Sequence, residues 1–150
     1  MKARFVGELL LAIALISAVS CTSDSCDDTG EAPLLMSMQY TDSETATPVD
    51  SISVFGLGLE MLYDTVSTSS VSLPLNPAED QVSFGIRKGS VTDTLTIYYE
   101  STLTFLSKAC GYSYIYKVSD IVFTTNIINN ILIIDRNVKP GSTENLRAFY

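Results

Sequence analysis

Val82-Ser83-Phe84-Gly85-Ile86, then Arg87-Lys88-Gly89-Ser90, then Thr94-Leu95-Thr96-Ile97-Tyr98-Tyr99 is the stretch on which the fold turns. Before the Arg87–Ser90 segment, Val82, Phe84 and Ile86 alternate with Ser83 and Gly85. After it, Leu95, Ile97 and Tyr99 alternate with Thr94, Thr96 and Tyr98. Successive side chains of a strand point to opposite faces, so each run turns one apolar face toward a core. A short, Gly-containing polar segment between two such runs predicts a β-hairpin.

The same period of two extends outward. Leu34, Met36, Met38 and Tyr40 share a face, with Ser37 and Gln39 on the other; Ile52 and Val54 alternate with Ser51 and Ser53; Leu103 and Phe105 alternate with Thr102 and Thr104. Ile121 to Thr125 and Ile131 to Ile134 are denser apolar runs, and Leu146 to Tyr150 suits a closing strand. Thr41 to Pro48, Asn76-Pro77, Asn129-Asn130 and Pro140-Gly141 supply turns between them. No stretch of ten residues carries a helical period. The pattern predicts an all-β protein, an antiparallel β-sandwich, immunoglobulin-like or similar, of about seven to nine short strands. No repeat of fixed length is present, which argues against propellers and solenoids.

Composition narrows the function classes. The chain has 150 residues, 46% of them hydrophobic, with 9 basic against 17 acidic groups and a net charge of −8. That is the length of a single domain. The acidic balance excludes a general nucleic-acid binder, which needs a clustered basic surface. Histidine is absent, and with it the commonest metal ligand and general base.

Residues 1–20 are set apart from the rest. Met1-Lys2-Ala3-Arg4 is basic, Leu9 to Ile16 is apolar, and Ser17, Ala18 and Ser20 are small, the order of a secretory signal peptide. The apolar run is too short for a spanning helix of about 20 residues. Ala18-Val19-Ser20-Cys21 resembles the lipobox of bacterial lipoproteins, in which the cysteine becomes an acylated N-terminus; Ala18-x-Ser20 also suits ordinary signal peptidase at the same bond. Cys21 is therefore the expected lipidation site, and the expected link to a membrane. Removing Lys2, Arg4 and Glu8 with the signal leaves 7 basic and 16 acidic groups, or −9. The expected organisation is a signal over 1–20, an acidic tether over 21–32 and one sandwich domain over 33–150.

With Cys21 acylated, Cys26 and Cys110 remain as an even pair in an oxidising compartment. A bridge between them closes a loop of roughly 85 residues, worth about 4 kcal/mol in the loop-entropy account. Two buried free thiols are the alternative, and Cys21 with Cys26 a third if lipidation does not occur.

Cys21, the second Cys26 beside Asp27-Asp28, Leu73-Pro74-Leu75-Asn76-Pro77, Asp93-Thr94-Leu95-Thr96-Ile97 and Ala109-Cys110-Gly111-Tyr112, in this order, resemble a family of small Bacteroidetes cell-envelope lipoproteins, a domain of unknown function. The likeness spans the mature chain. It implies an outer-membrane, lipid-anchored location, on the periplasmic or the cell-surface side, and points to another envelope protein as partner, an outer-membrane barrel among the candidates. It implies no activity.

The residues themselves offer modest sites. Ser107-Lys108 are neighbours on a strand and point to opposite faces, so they form no dyad directly. Glu79-Asp80 falls in a turn after Pro77. Asp24, Asp27 and Asp28 lack the alternating spacing and terminal Glu of a calcium loop and read as a solvated tether. No catalysis, cofactor or metal is expected. Tyr112, Tyr114 and Tyr116 lie on one strand face, either as a half-buried row or as a contact surface for a sugar or a protein. An accessory subunit that docks to an envelope protein is the leading expectation, and a glycan- or small-ligand-binding module using the tyrosines the alternative. Residues 21–86 hold 11 acids and no Lys or Arg, while residues 87–150 hold 7 basic and 5 acidic groups. Separation of these halves in space would polarise the domain.

Overall fold

In a computed structural model, which describes residues 32–58 and 60–150, ten strands and no helix follow one another. They are β1 (Leu34–Gln39), β2 (Val49–Gly56), β3 (Met61–Thr68), β4 (Ser70–Leu73), β5 (Gln81–Lys88), β6 (Val91–Ser107), β7 (Gly111–Phe123), β8 (Asn130–Ile133), β9 (Asn137–Val138) and β10 (Leu146–Phe149). A four-stranded sheet in the order β4-β1-β10-β8 faces a six-stranded sheet in the order β3-β2-β5-β6-β7-β9. This is the sandwich expected, with ten strands in place of seven to nine. Readings that fall on residues 1–31, including the signal, Cys21, Cys26 and the tether acids, lie outside the described residues.

The alternating runs form the core. Leu34, Met36 and Met38 of β1 and Leu146 and Ala148 of β10 are all at 0% exposure, and so are Ile52, Val54, Phe84, Ile86, Leu95 and Ile97 of the opposite sheet. The predicted hairpin is β5–β6, with Lys88 paired to Val91 across Gly89-Ser90 and Gly89 at a φ of 62°. The runs around Leu95 and Leu103 belong to one 17-residue strand.

Two features depart from the sequence reading. First, β1 and β10 pair in parallel, Met36 with Leu146 and Met38 with Ala148, amid otherwise antiparallel ladders. A parallel pair needs a long crossover, here the whole chain between the two strands. Second, the short strands β4 and β9 go unrecognised in sequence, and so does β3, an edge strand with no buried residue. Its pairing to β2 shifts register three times. Ser51 and Thr65 adopt positive φ (55° and 50°) at these bulges, and the Ser53 hydroxyl accepts the Thr65 N–H at 3.0 Å. The extra residue lets Val49 and Ile52 both face inward, which breaks the simple alternation.

The two chain halves separate laterally. Residues 34–88 supply β4 and β1 of one sheet and β3, β2 and β5 of the other; later residues supply β10, β8, β6, β7 and β9. The Tyr63 hydroxyl accepts the Ser72 N–H at 2.9 Å, so β3 and β4 border each other on the same flank. Asp42, Glu44, Asp50, Glu60 and Asp64 are all exposed on the first-half segments.

Candidate docking surfaces

The β6–β7 hairpin outruns the sheet that should cover it. At about 3.3 Å per residue, a 17-residue strand reaches more than twice the length of a six-residue one. Leu95, Ile97 and Tyr99 find the opposite sheet. Leu103 and Phe105 continue on the same face of β6 past its end, paired across to Tyr114 and Tyr112. The four side chains form a ladder exposed by 55% (Leu103), 53% (Phe105), 40% (Tyr114) and 67% (Tyr112), and the Phe105 and Tyr112 rings meet edge-on at 5.3 Å. Leu106 beside them is exposed as well.

The tyrosine row therefore divides. Tyr116 is buried, its ring perpendicular to Tyr99 at 5.5 Å, and its hydroxyl donates to the Leu75 carbonyl at 3.2 Å. It is a core residue, and Tyr112 and Tyr114 are the exposed members of the row. Tyr99 does the same work one step deeper: its hydroxyl donates to the Asn76 carbonyl at 3.0 Å and accepts the Asn76 N–H at 3.1 Å. Burial pushes its phenol up from the ordinary value. Together with Ser101, whose hydroxyl donates to the Pro77 carbonyl, these groups pin the Pro74–Pro77 segment over the end of the core. Tyr99→Phe removes both Asn76 bonds and should cost about 1–2 kcal/mol, read as a lower urea midpoint at unchanged m-value.

A recess of about 320 Å³ lies at the base of the hairpin, lined by Ala32, Pro33, Pro74, Leu75, Tyr114 and Tyr116 among others, with no carboxylate or amide side chain among the described residues of its lining. Recognition of a sugar needs such groups placed in a concave site. A second recess of about 400 Å³ beside β9 is lined by Glu100, Lys117, Asp135 and Lys139. Both are shallow. No cluster of three metal-ligating side chains occurs among the described residues.

The turn of the hairpin accounts for Ser107 and Cys110. The Ser107 hydroxyl accepts the Cys110 N–H at 3.0 Å, so it serves the turn. Cys110 is disulfide-bonded; Cys21 and Cys26 lie outside the described residues, and the choice of pairing with them. Glu79 and Asp80 sit exposed where Asp80 lends its carbonyl to the Tyr99 N–H at 2.8 Å.

A second exposed surface occupies the edge strand β8. Asn126 to Ile134 is nine residues without a charge. Leu132 and Ile134 are 45% and 46% exposed, and Ile131 is buried. The Ile134 N–H donates to the Asn145 carbonyl at 2.8 Å. Antiparallel bonding alternates by residue, so Leu132 and Ile134 bond toward β10 while the backbone groups of Ile131 and Ile133 face away from it. Natural edges are usually blunted by charge or proline, and β8 has neither.

Two polar centres hold these surfaces in place, and neither was singled out as a site in the sequence. Asp93, at 0% exposure, accepts five bonds: from the Thr124 hydroxyl (2.6 Å), the Asn126 N–H (2.8 Å) and side-chain amide (2.9 Å), and the Ile127 and Ile128 N–H groups (2.7 and 2.8 Å). Burial alone pushes its carboxyl up; the Thr124 hydroxyl and the three backbone donors outweigh this and hold it below the ordinary 3.8. Asn145, also at 0%, accepts the Leu35 N–H at 3.0 Å and donates to the Asp135 and Asn137 carbonyls at 3.2 and 3.0 Å.

Residues 51–150 match a protein family described as a family of unknown function (DUF6452). No curated protein and no solved structure matches the chain significantly.

Proposed function

The chain belongs to this family of unknown function, DUF6452, and we propose that it is a lipid-anchored protein of the cell envelope, an accessory or structural subunit that docks to another envelope protein and performs no catalysis. In this reading residues 1–20 are removed, Cys21 carries acyl chains, Cys26 bridges to Cys110, and the anchor sits in the outer membrane. Each buried methylene contributes about 0.8 kcal/mol, so several chains on one residue hold a domain at a bilayer.

The observation that carries the docking half is the open β8 edge. An uncharged, aliphatic edge strand whose outer backbone groups pair with no described strand, with Leu132 and Ile134 exposed on it, fits addition of a strand from a partner. A barrel rim or an extended segment of an envelope protein supplies such a strand.

Photocrosslinking in intact envelopes tests it. A photoreactive residue at position 132 should give a discrete adduct with an envelope protein, and the same residue at position 62 on β3 should not. Ile133→Pro deletes an N–H that β10 does not use, so the variant should fold, by circular dichroism, and lose the adduct. No adduct from position 132, or one indifferent to the proline, would remove the docking proposal. Mass spectrometry of the mature N-terminus tests the anchor separately, and an unmodified Cys21 would overturn it.

A further inference from the structure

The exposed ladder of the β6–β7 hairpin asks for a different partner from the β8 edge. Its side chains are Leu103, Phe105, Tyr112 and Tyr114, Leu106 is exposed at the register shift beside them, and its tip carries Lys108. Across residues 101–116 there is no Asp or Glu and the one charge is Lys108, in a chain of net charge −8; Lys117, on the other face of β7, stands across from Glu100. Aliphatic and aromatic side chains beside a lysine suit a bilayer interface: the rings sit at the level of the headgroups, and the lysine stem lies along apolar surface with the ammonium in water. A two-stranded ribbon projecting beyond the second sheet can enter that zone without drawing the acidic flank after it.

The position of the chain adds a second argument. Ala32 lines the recess at the base of the hairpin together with Tyr114 and Tyr116. Cys21 is eleven residues upstream of Ala32, so an anchor there lies at most about 40 Å from the hairpin base. A bridge from Cys26 to Cys110 would shorten the leash to five residues and the disulfide itself, at most about 24 Å from the tip.

We infer that the β6–β7 hairpin is a membrane-docking element, which inserts Leu103, Phe105, Leu106 and Tyr112 into the interfacial zone of a phospholipid bilayer and sets the orientation of the anchored domain. The inference rests on the anchored reading above for its geometry, and its test separates the two. The chain contains no tryptophan, so Phe105→Trp creates a unique probe, and Leu62→Trp on β3 is its control. Full-length protein made in Gram-negative envelopes is purified and reconstituted into vesicles of phosphatidylethanolamine and phosphatidylglycerol with brominated acyl chains.

Quenching at position 105 should exceed that at position 62 several-fold, with a blue-shifted emission. Adding Tyr112→Asp to the Phe105→Trp chain should reduce that quenching at least threefold while the β-sheet spectrum stays unchanged. Equal quenching at the two positions, on protein whose Cys21 is acylated by mass spectrometry, would overturn the hairpin and leave the anchor standing. Strong quenching at position 105 on protein with an unmodified Cys21 would support the hairpin and overturn the anchor. Absence of quenching with a crosslink from position 103 to an envelope protein would replace the bilayer by a protein interface.

Discussion

Asp93→Ala should lower the free energy of unfolding by roughly 4 kcal/mol, seen as a large fall in the urea midpoint. The carboxylate is fully buried and its five bonds hold residues 124–128, the link from β7 to β8, against the start of β6. Truncation leaves several N–H groups facing an apolar space, each costing about 1–3 kcal/mol if no water replaces the oxygen, though such losses are not additive. Asp93→Asn should rescue little. Both carboxylate oxygens receive donors, three on Oδ1 and two on Oδ2, so an amide nitrogen at either place opposes donors with a donor.

The same group sets an acid response. Its folded-state acidity lies below the ordinary 3.8, so the unfolded chain binds the proton first as pH falls. The stabilisation is complete above that unfolded value and is lost as pH drops through the folded one. Glu144 adds in the same direction below its ordinary 4.5, because the Arg147 side chain at 2.6 Å and the Ser37 hydroxyl hold its carboxylate ionised. Stability measured from pH 5 downward should therefore fall more steeply in the wild type than in Asp93→Asn. A parallel pair of curves would exclude Asp93 as the source.

Asn145→Ala should cost about 3 kcal/mol, by the same measurement. Its side chain satisfies the Leu35 N–H and two carbonyls, of Asp135 and Asn137, while its own N–H donates to the Leu35 carbonyl at 2.8 Å. It joins β1, the β8–β9 connection and the entry to β10 at one fully buried point. Asn145→Asp should be no milder at neutral pH, since a carboxylate would then face two carbonyl oxygens without a donor between them. Its loss should diminish in acid as that group protonates.

The legible part of the fold was the part governed by one rule. Phe84, Ile86, Leu95 and Ile97 alternate because nothing interrupts the pleat between β5 and β6, and the sequence shows it. Leu103 and Phe105 follow the same rule and were expected as strand residues, yet alternation says only that they share a face. Whether a second sheet reaches far enough to cover that face depends on the lengths of β1 and β10, which are distant in sequence. Tyr112 and Tyr116 illustrate the same limit, since one row contains an exposed ring and a buried one. Bulges hid β3. Asp93 and Asn145 carry no local signal at all: an Asp between two threonines and an Asn after a Glu are ordinary surface sequence, and their donors come from segments about 30 and 110 residues away.

The parallel contact of β1 with β10 has a kinetic corollary. A ribosome delivers residues 34–39 about a hundred residues before residues 146–149, and these two strands are the inner pair of the four-stranded sheet. Until the final strand emerges, β1 has only β4 beside it, and the apolar side of Met36 and Met38 has no second neighbour in its own sheet. Contacts that join the two ends of a chain also slow folding, because closing the intervening loop precedes any gain from the pairing. The four-stranded sheet thus stays incomplete, and β1 accessible to factors that bind unfolded polypeptide, until residues 146–149 have been made.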